Sequence, residues 1–304
     1  MKKAVERELA APGVGSVPSL EPEEASLTKK KMNKGWLLVI PPLIYMIIFL
    51  VIPLLRILVL SVTDPDTKGF SLGAYLQFFQ SSVYFKVILL TFKVGLVVTV
   101  LCLLLGYPVA YFMTKCTKRV RSLIMIAVMI PFWTSLLVRT YAWMILLQTN
   151  GVINNMLMSI GLIQEPLRLY KNTIGIYIGM THILLPYMIL SLYPVLSGID
   201  SNFVSAAQSL GARKFVAFFK VYFPLSVQGI GAGAILVFVM AIGYFITPSL
   251  LGGSSDTMIS QMIQIQVSKL LNWPFASAVS IILFLISMFI LYASKKLMKL
   301  DKIW

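Results

Sequence analysis

Acid is what this sequence lacks. Only 11 of its 304 residues are Asp or Glu. All of them (Glu6, Glu8, Glu21, Glu23, Glu24, Asp64, Asp66, Glu165, Asp200, Asp256 and Asp301) lie outside its long apolar runs. Proton-coupled carriers generally carry an ionisable relay at membrane depth. Here such a relay would have only His182, Arg139 and the marginal Arg56 and Lys93 to use, which argues against one. Sodium coupling through carbonyls stays open. His182 is the single histidine, and a lone histidine on a membrane helix reads as a hydrogen-bonded packing residue. The two cysteines, Cys102 and Cys116, form no CxxC and have no metal spacing, so they read as free thiols. No GxxxxGK[ST] run is present to cradle a nucleotide phosphate. There is also no HExxH and no GxSxG. The chain is therefore expected to have no catalytic residue, no metal site and no cofactor of its own.

What is abundant is apolar surface. Hydrophobic residues make up 58% of the chain, charged ones 12%, and mean hydropathy is +0.87. Soluble domains are about 25% charged. The apolar residues gather in runs of about 20 or more, long enough to cross a bilayer as helices. The expected class is all-α, a polytopic membrane protein with about six transmembrane helices. The spans are expected at Trp36–Val62, Val87–Met113, Ser122–Leu147, Thr173–Leu196, Leu225–Leu251 and Pro274–Ser294. Pro41, Pro42 and Pro53 fall in the first, where neighbours can re-satisfy the backbone. Residues 1–35 are polar and read as a disordered tail, 36–296 as the membrane domain and 297–304 as a C-terminal tail.

The net charge of +15 sits at the ends of the apolar runs. That distribution fits basic cytoplasmic loops, not a nucleic-acid surface, so the expected surroundings are lipid and no nucleic acid is expected as a partner. The N-terminal tail, the 114–121 loop, the 197–224 loop and the C-terminus together hold eighteen Lys and Arg, against four in the alternate loops. This asymmetry places both termini and both basic loops in the cytoplasm. Two loops on the other side carry amphipathic stretches: Val152, Ile153, Met156, Leu157 and Ile160 in one, Met258, Met262, Ile265 and Leu270 in the other. They read as interfacial helices or as contacts for an external partner.

The most informative segment is Asp200–Pro224, DSNFVSAAQSLGARKFVAFFKVYFP. Asp200 or Ser201 can cap a helix. Phe203, Ala207 and Leu210 then share a face. Gly211 suits the stop, and a second helix is expected over Ala212–Tyr222, ending at Pro224. Small Ala206 and Ala207 beside basic Arg213 and Lys214 suit a helix laid into a partner's groove.

This segment resembles the EAA loop of permease subunits of bacterial ATP-binding-cassette importers: E-A-A, three residues, Gly, nine residues, I-x-L-P. Here it reads Ser205-Ala206-Ala207, Gly211, then Val221-Tyr222-Phe223-Pro224, without gaps. Ser205 stands where the pattern has Glu, which removes a charge that could pair with an ATPase. Arg139-Thr140-Tyr141-Ala142-Trp143, Asn150-Gly151-Val152-Ile153-Asn154, Leu184-Leu185-Pro186-Tyr187, Pro248-Ser249-Leu250-Leu251-Gly252-Gly253 and Asn272-Trp273-Pro274-Phe275-Ala276-Ser277-Ala278 are similar to the spermidine/putrescine branch. The resemblance implies a type I importer permease fold in the bacterial inner membrane. It implies two ATPase subunits that bind ATP and Mg, a second homologous permease, and a periplasmic or extracellular solute-binding protein. Ser205, Ala206, Ala207, Leu210, Gly211, Arg213 and Pro224 would form the ATPase-coupling loop. Tyr141, Trp143, Tyr187, Tyr193 and Tyr244 are candidates for the substrate path, since aromatic faces attract ammonium groups. Arg139 reads as a structural anchor near the end of the third span. Related branches carry ferric iron, thiamine, aminophosphonates or opine-like compounds. A stand-alone ion-coupled carrier is the other class.

Overall fold

The computed structural model describes residues 39–297 apart from 65, 66 and 68. The tail expected over 1–35, and all but Leu297 of that over 297–304, lie outside the described residues. The chain divides into two units, one ending at Val51 and one beginning at Ile52. The described part of the first is helical and buries no residue.

Helix α1 runs Ile40–Ser61 and contains a π turn at Ile47–Val51. Pro41 lies in its first turn, where a missing N–H leaves nothing unpaired. Pro53 follows the π turn, whose wider winding accommodates a ring that would otherwise meet the carbonyl four residues back. Then come α2 (Gly73–Gln80), α3 (Ser82–Lys115), α4 (Lys118–Trp133), α5 (Leu136–Leu147), α6 (Val152–Ser159), α7 (Thr173–Gly198) and α8 (Ser201–Ser209). The chain continues through α9 (Lys214–Gly243). It ends with α10 (Ile246–Leu251), α11 (Ile259–Ser268) and α12 (Trp273–Leu297). No Asp or Glu falls inside any of these helices.

Helices α1, α3, α7, α9 and α12 are each long and apolar enough to span a membrane; the bent pair of α4 with Leu136–Ser159 makes a sixth. The third expected span is thus corrected. It is not one rod over 122–147 but two helices meeting at 97°. Pro131 removes a donor from the last turn of α4, and the chain opens at Thr134 and Ser135 before α5 begins. The fifth span is corrected as well. It begins at Lys214 and ends at Gly243, and extended Tyr244 separates it from α10.

The core lies between α3, α7 and α9. Val94, Val98 and Cys102 of α3, Met180, Leu184, Met188 and Leu192 of α7, and Val237 and Ala241 of α9 are all fully buried together. Lipid is as apolar as these side chains, so close packing holds such helices together. Gly229 shows how close: a Cβ there would stand 2.9 Å from Cβ of Val195. A second cluster joins Phe78, Val87, Ile259, Met262, Phe275, Val279 and Ile282. Beside it the Ile259 N–H donates to Thr91 Oγ1 at 2.9 Å. Asp256, one of the scarce acids, is buried. It accepts from Thr173 Oγ1 at 2.6 Å and from the Gly253 N–H at 3.0 Å, tying the start of α7 to the loop after α10.

Replacing Gly229 by Ile forces side-chain bulk into the α7–α9 crossing. It is expected to destabilise the folded chain by about 1–3 kcal/mol, read as a lowered unfolding midpoint in detergent.

Candidate functional site

The first half of the 200–224 segment forms the capped helix and glycine stop expected of it. Asp200 caps α8, its Oδ1 accepting from the Asn202 N–H at 2.9 Å. At the other end the Gly211 N–H donates to Gln208 O at 2.9 Å and the Ala212 N–H to Ala207 O at 3.0 Å. This pair of bonds needs a left-handed residue at Gly211, which has φ +92°. The Ser205 hydroxyl donates back to Ser201 O at 3.2 Å, so its polar group is satisfied within its own helix.

One side of this loop is anchored and the other is open. Ile199, Val204 and Phe218 pack against the main core. Tyr222 is buried, and its OH donates to Leu196 O at 3.1 Å. Its ring and that of Tyr111 receive the Lys115 ammonium at 5.7 and 5.8 Å. The ends of α3 and α7 and the start of α9 thereby share one aromatic pedestal, completed by Phe218 against Tyr111 at 5.2 Å. Facing out are Phe203, Phe215 and above all Leu210, which is 90% exposed. Ala206 and Arg213 are exposed too, while Ala207 is half-buried. The second helix differs from the expectation of Ala212–Tyr222 closed by Pro224. It is the start of α9: it begins at Lys214 and runs on through a π turn, Phe218–Tyr222, without a break. The π turn precedes Pro224 as the earlier one precedes Pro53, so Pro224 sits inside a continuous helix and does not end one.

The aromatic candidates divide. Tyr187 and Tyr244 meet in a small cleft with Pro131, Phe132, Arg139, Ile183 and Pro186. Phe132 and Tyr187 stack edge to face at 5.0 Å. Trp143 instead packs on His182 at 5.6 Å. Tyr193 packs against the main core, and Tyr141 is 45% exposed away from the cleft. Two readings are corrected here. Arg139 does not sit at a span's end: it lies in the first turn of α5 and lines the cleft, with its Nε buried and without a hydrogen-bond partner. His182 packs, but its Nδ1 is buried without a partner. Pro131 and Phe132 were missed as cleft residues, although a proline late in an apolar run was the available signal.

Helix content, the spans and the loop define a polytopic helical membrane protein. Residues 102–298 match the family described as "Binding-protein-dependent transport system inner membrane component". The chain belongs to that family and is an importer permease subunit of the ATP-binding-cassette class. It is 35% identical over 262 residues to the spermidine/putrescine transport system permease protein PotB of Haemophilus influenzae, covering 84% of this chain and 91% of that one. To PotB of Escherichia coli K12 it is 35% identical over 79% of this chain and 88% of the relative. To the inner membrane ABC transporter permease protein YdcU of the same organism the figures are 31%, 69% and 71%. Among solved structures it shares its fold with a bacterial ABC transporter involved in import of the acidic polysaccharide alginate. There the TM-score is 0.65 at 20% identity, covering 86% of this chain and 96% of that one. The same holds for a bacterial alginate ABC transporter in complex with an alginate pentasaccharide-bound periplasmic protein, with TM-score 0.67 at 19% identity over 86% and 94%.

Leu210→Ser should leave stability within about 0.5 kcal/mol, as befits an exposed side chain. Tyr222→Phe should cost about 1 kcal/mol through the orphaned Leu196 carbonyl. Paired thermal unfolding of the two purified variants in detergent checks the contrast.

Proposed function

We propose that this subunit imports a polyamine of the spermidine/putrescine type across the bacterial inner membrane. Two ATPase subunits, a second homologous permease and a solute-binding protein on the outer side complete the machine. ATP and Mg bind to the ATPase subunits, none to this chain. Both termini and the 200–224 loop face the cytoplasm, a reading supported by the Lys and Arg asymmetry of the loops.

The observation that carries the reading is the loop: a capped helix, a left-handed Gly211 and an unpartnered face of Phe203, Ala206, Leu210 and Phe215. Such a face suits a groove on an ATPase. Closure of the ATPase dimer then moves α8, and the aromatic pedestal carries that motion into α3, α7 and α9. The spans switch between inward-open and outward-open packings as rigid bodies. The polyamine assignment is supported by the two PotB relatives above. Tyr187 and Tyr244 in the cleft are the best-placed aromatic faces for ammonium groups, with Tyr141, Trp143 and Tyr193 further from it.

The test is uptake of radiolabelled spermidine into proteoliposomes holding the complete complex. ATP-dependent uptake is expected from the wild type. Gly211→Asp should reduce it at least tenfold while the spans stay inserted and the complex still assembles. Uptake by this chain alone, driven by an ion gradient, would replace the reading with a secondary carrier. ATP-dependent uptake of ferric iron, thiamine, an aminophosphonate or an opine, but not of polyamines, would keep the machinery and change its passenger.

A further inference from the structure

Arg139 is a half-buried cation whose buried Nε has no hydrogen-bond partner. It lies within the third apolar run, four residues before Trp143 on α5. The groups that face the cleft around it are Pro131 and Phe132 from α4, Ile183, Pro186 and Tyr187 from α7, and Tyr244 after α9. None carries a negative charge at neutral pH. Among the described residues, no helix contains an acid. The buried acid Asp256 is already engaged by Thr173 and Gly253. A guanidinium cannot shed its proton to escape this cost. An unpaired one within a membrane is expensive, and such residues characteristically face the interior of an assembly and pair there.

The backbone beside it tells the same story independently. Between Trp133 and Leu136 the chain leaves the helix and turns by 97°. Non-helical backbone at membrane depth is tolerated where protein buries it or it lines a water-filled cavity, not against lipid. Trp133 at this break is 88% exposed, Phe132 41%, and Thr134 and Ser135 are exposed as well. This side of the chain is therefore not built to face lipid.

We propose that Arg139 is the counter-ion of a carboxylate side chain supplied by the second permease subunit at the α4–α5 bend. The inference rests on the two-permease importer reading above. The ligand chemistry is a carboxylate, which a guanidinium grips through two parallel hydrogen bonds. Its source is a partner Asp or Glu and not the solute, because the passenger proposed above is a polycation. The bond positions the bend of α4 and α5 against the partner, and it neutralises a cation that would otherwise repel a polyamine.

The experiment is a charge-rescue cycle in the full reconstituted complex. Arg139→Gln should lower spermidine uptake at least tenfold, because it strands the partner's carboxylate. Arg139→Lys should retain uptake to within about threefold of the wild type. Each Asp and Glu in the partner's spans is then neutralised singly in the Arg139→Gln background. One neutralisation should restore uptake to within about threefold of wild type, and by itself should be as damaging as Arg139→Gln. If Arg139→Gln prevents assembly, the same double variant should restore assembly, read by co-purification. The proposal is overturned if Arg139→Gln is silent, or if no partner neutralisation restores either readout. It is equally overturned if Arg139→Gln selectively abolishes uptake of a carboxylated solute, which would assign the carboxylate to the passenger. Should the wild-type complex assemble but take up no spermidine, the passenger assignment fails separately, and the cycle is read on assembly alone.

Discussion

In hydrocarbon a backbone amide has no water to turn to, and most of this structure follows from that constraint. It is why runs of about 20 apolar residues become helices and not strands or coils. It also governs where proline is accepted. Pro41 sits in a first turn, and Pro53 and Pro224 each follow a π turn that widens the helix ahead of the ring. The break after Trp133 keeps its bonds local: Thr134 donates from both its N–H and its hydroxyl to Pro131 O, at 3.3 and 3.0 Å. Two helices meeting at 97° still leave more backbone bare than one straight helix would. The exception therefore marks a face that something other than lipid must cover.

The same constraint shapes how force could travel. Helices that hold their own hydrogen bonds move as rods, so the useful joints are at their ends. At the basic end of the molecule, Tyr222 bonds the last turn of α7, Lys115 at the end of α3 lies over Tyr111 and Tyr222, and Phe218 packs on Tyr111. The π turn that contains Phe218 and Tyr222 lies within α9 and joins its first turn to the rest of the helix without a flexible hinge. In the proposed mechanism a push on Leu210 reaches three spans at once. A separate helix ending at Pro224 would have left a joint there to absorb the stroke.

Much of this was legible in the sequence, and the misses have physical causes. Five of the six spans came from hydropathy, the fifth with its bounds shifted, because lipid selects on composition alone. The loop was legible because caps and a C-terminal glycine act locally: Asp200 and Gly211 do what their residue types allow in any context. The bend in the third span was not, because proline in a membrane helix has several outcomes. Pro108 lies inside α3, and Pro186 and Pro194 lie inside α7, without ending either helix. Pro131 differs in that Thr134 and Ser135 come three and four residues after it, and packing decides between bend and continuation. Arg139 was misplaced for the same reason. Its depth could be read from the sequence, but its neighbours Tyr187 and Tyr244 are contributed by distant parts of the chain.

The scarcity of acid and the position of Arg139 constrain the passage together. An aromatic face holds an ammonium with roughly 0.5–2 kcal/mol. A like charge about 4 Å away repels it by about 4 kcal/mol at the effective dielectric typical of protein surfaces. Tyr187 and Tyr244 therefore cannot by themselves make the cleft hospitable to a polycation while Arg139 stands unneutralised beside them. Among the described residues, no helix carries an acid that could supply the neutralisation. For a polyamine to pass here, the compensating negative charge has to come from another subunit. In the proposed two-permease assembly the division of labour is then electrostatic as well as mechanical: this subunit would bring the coupling loop and the aromatic walls, and its partner the acid.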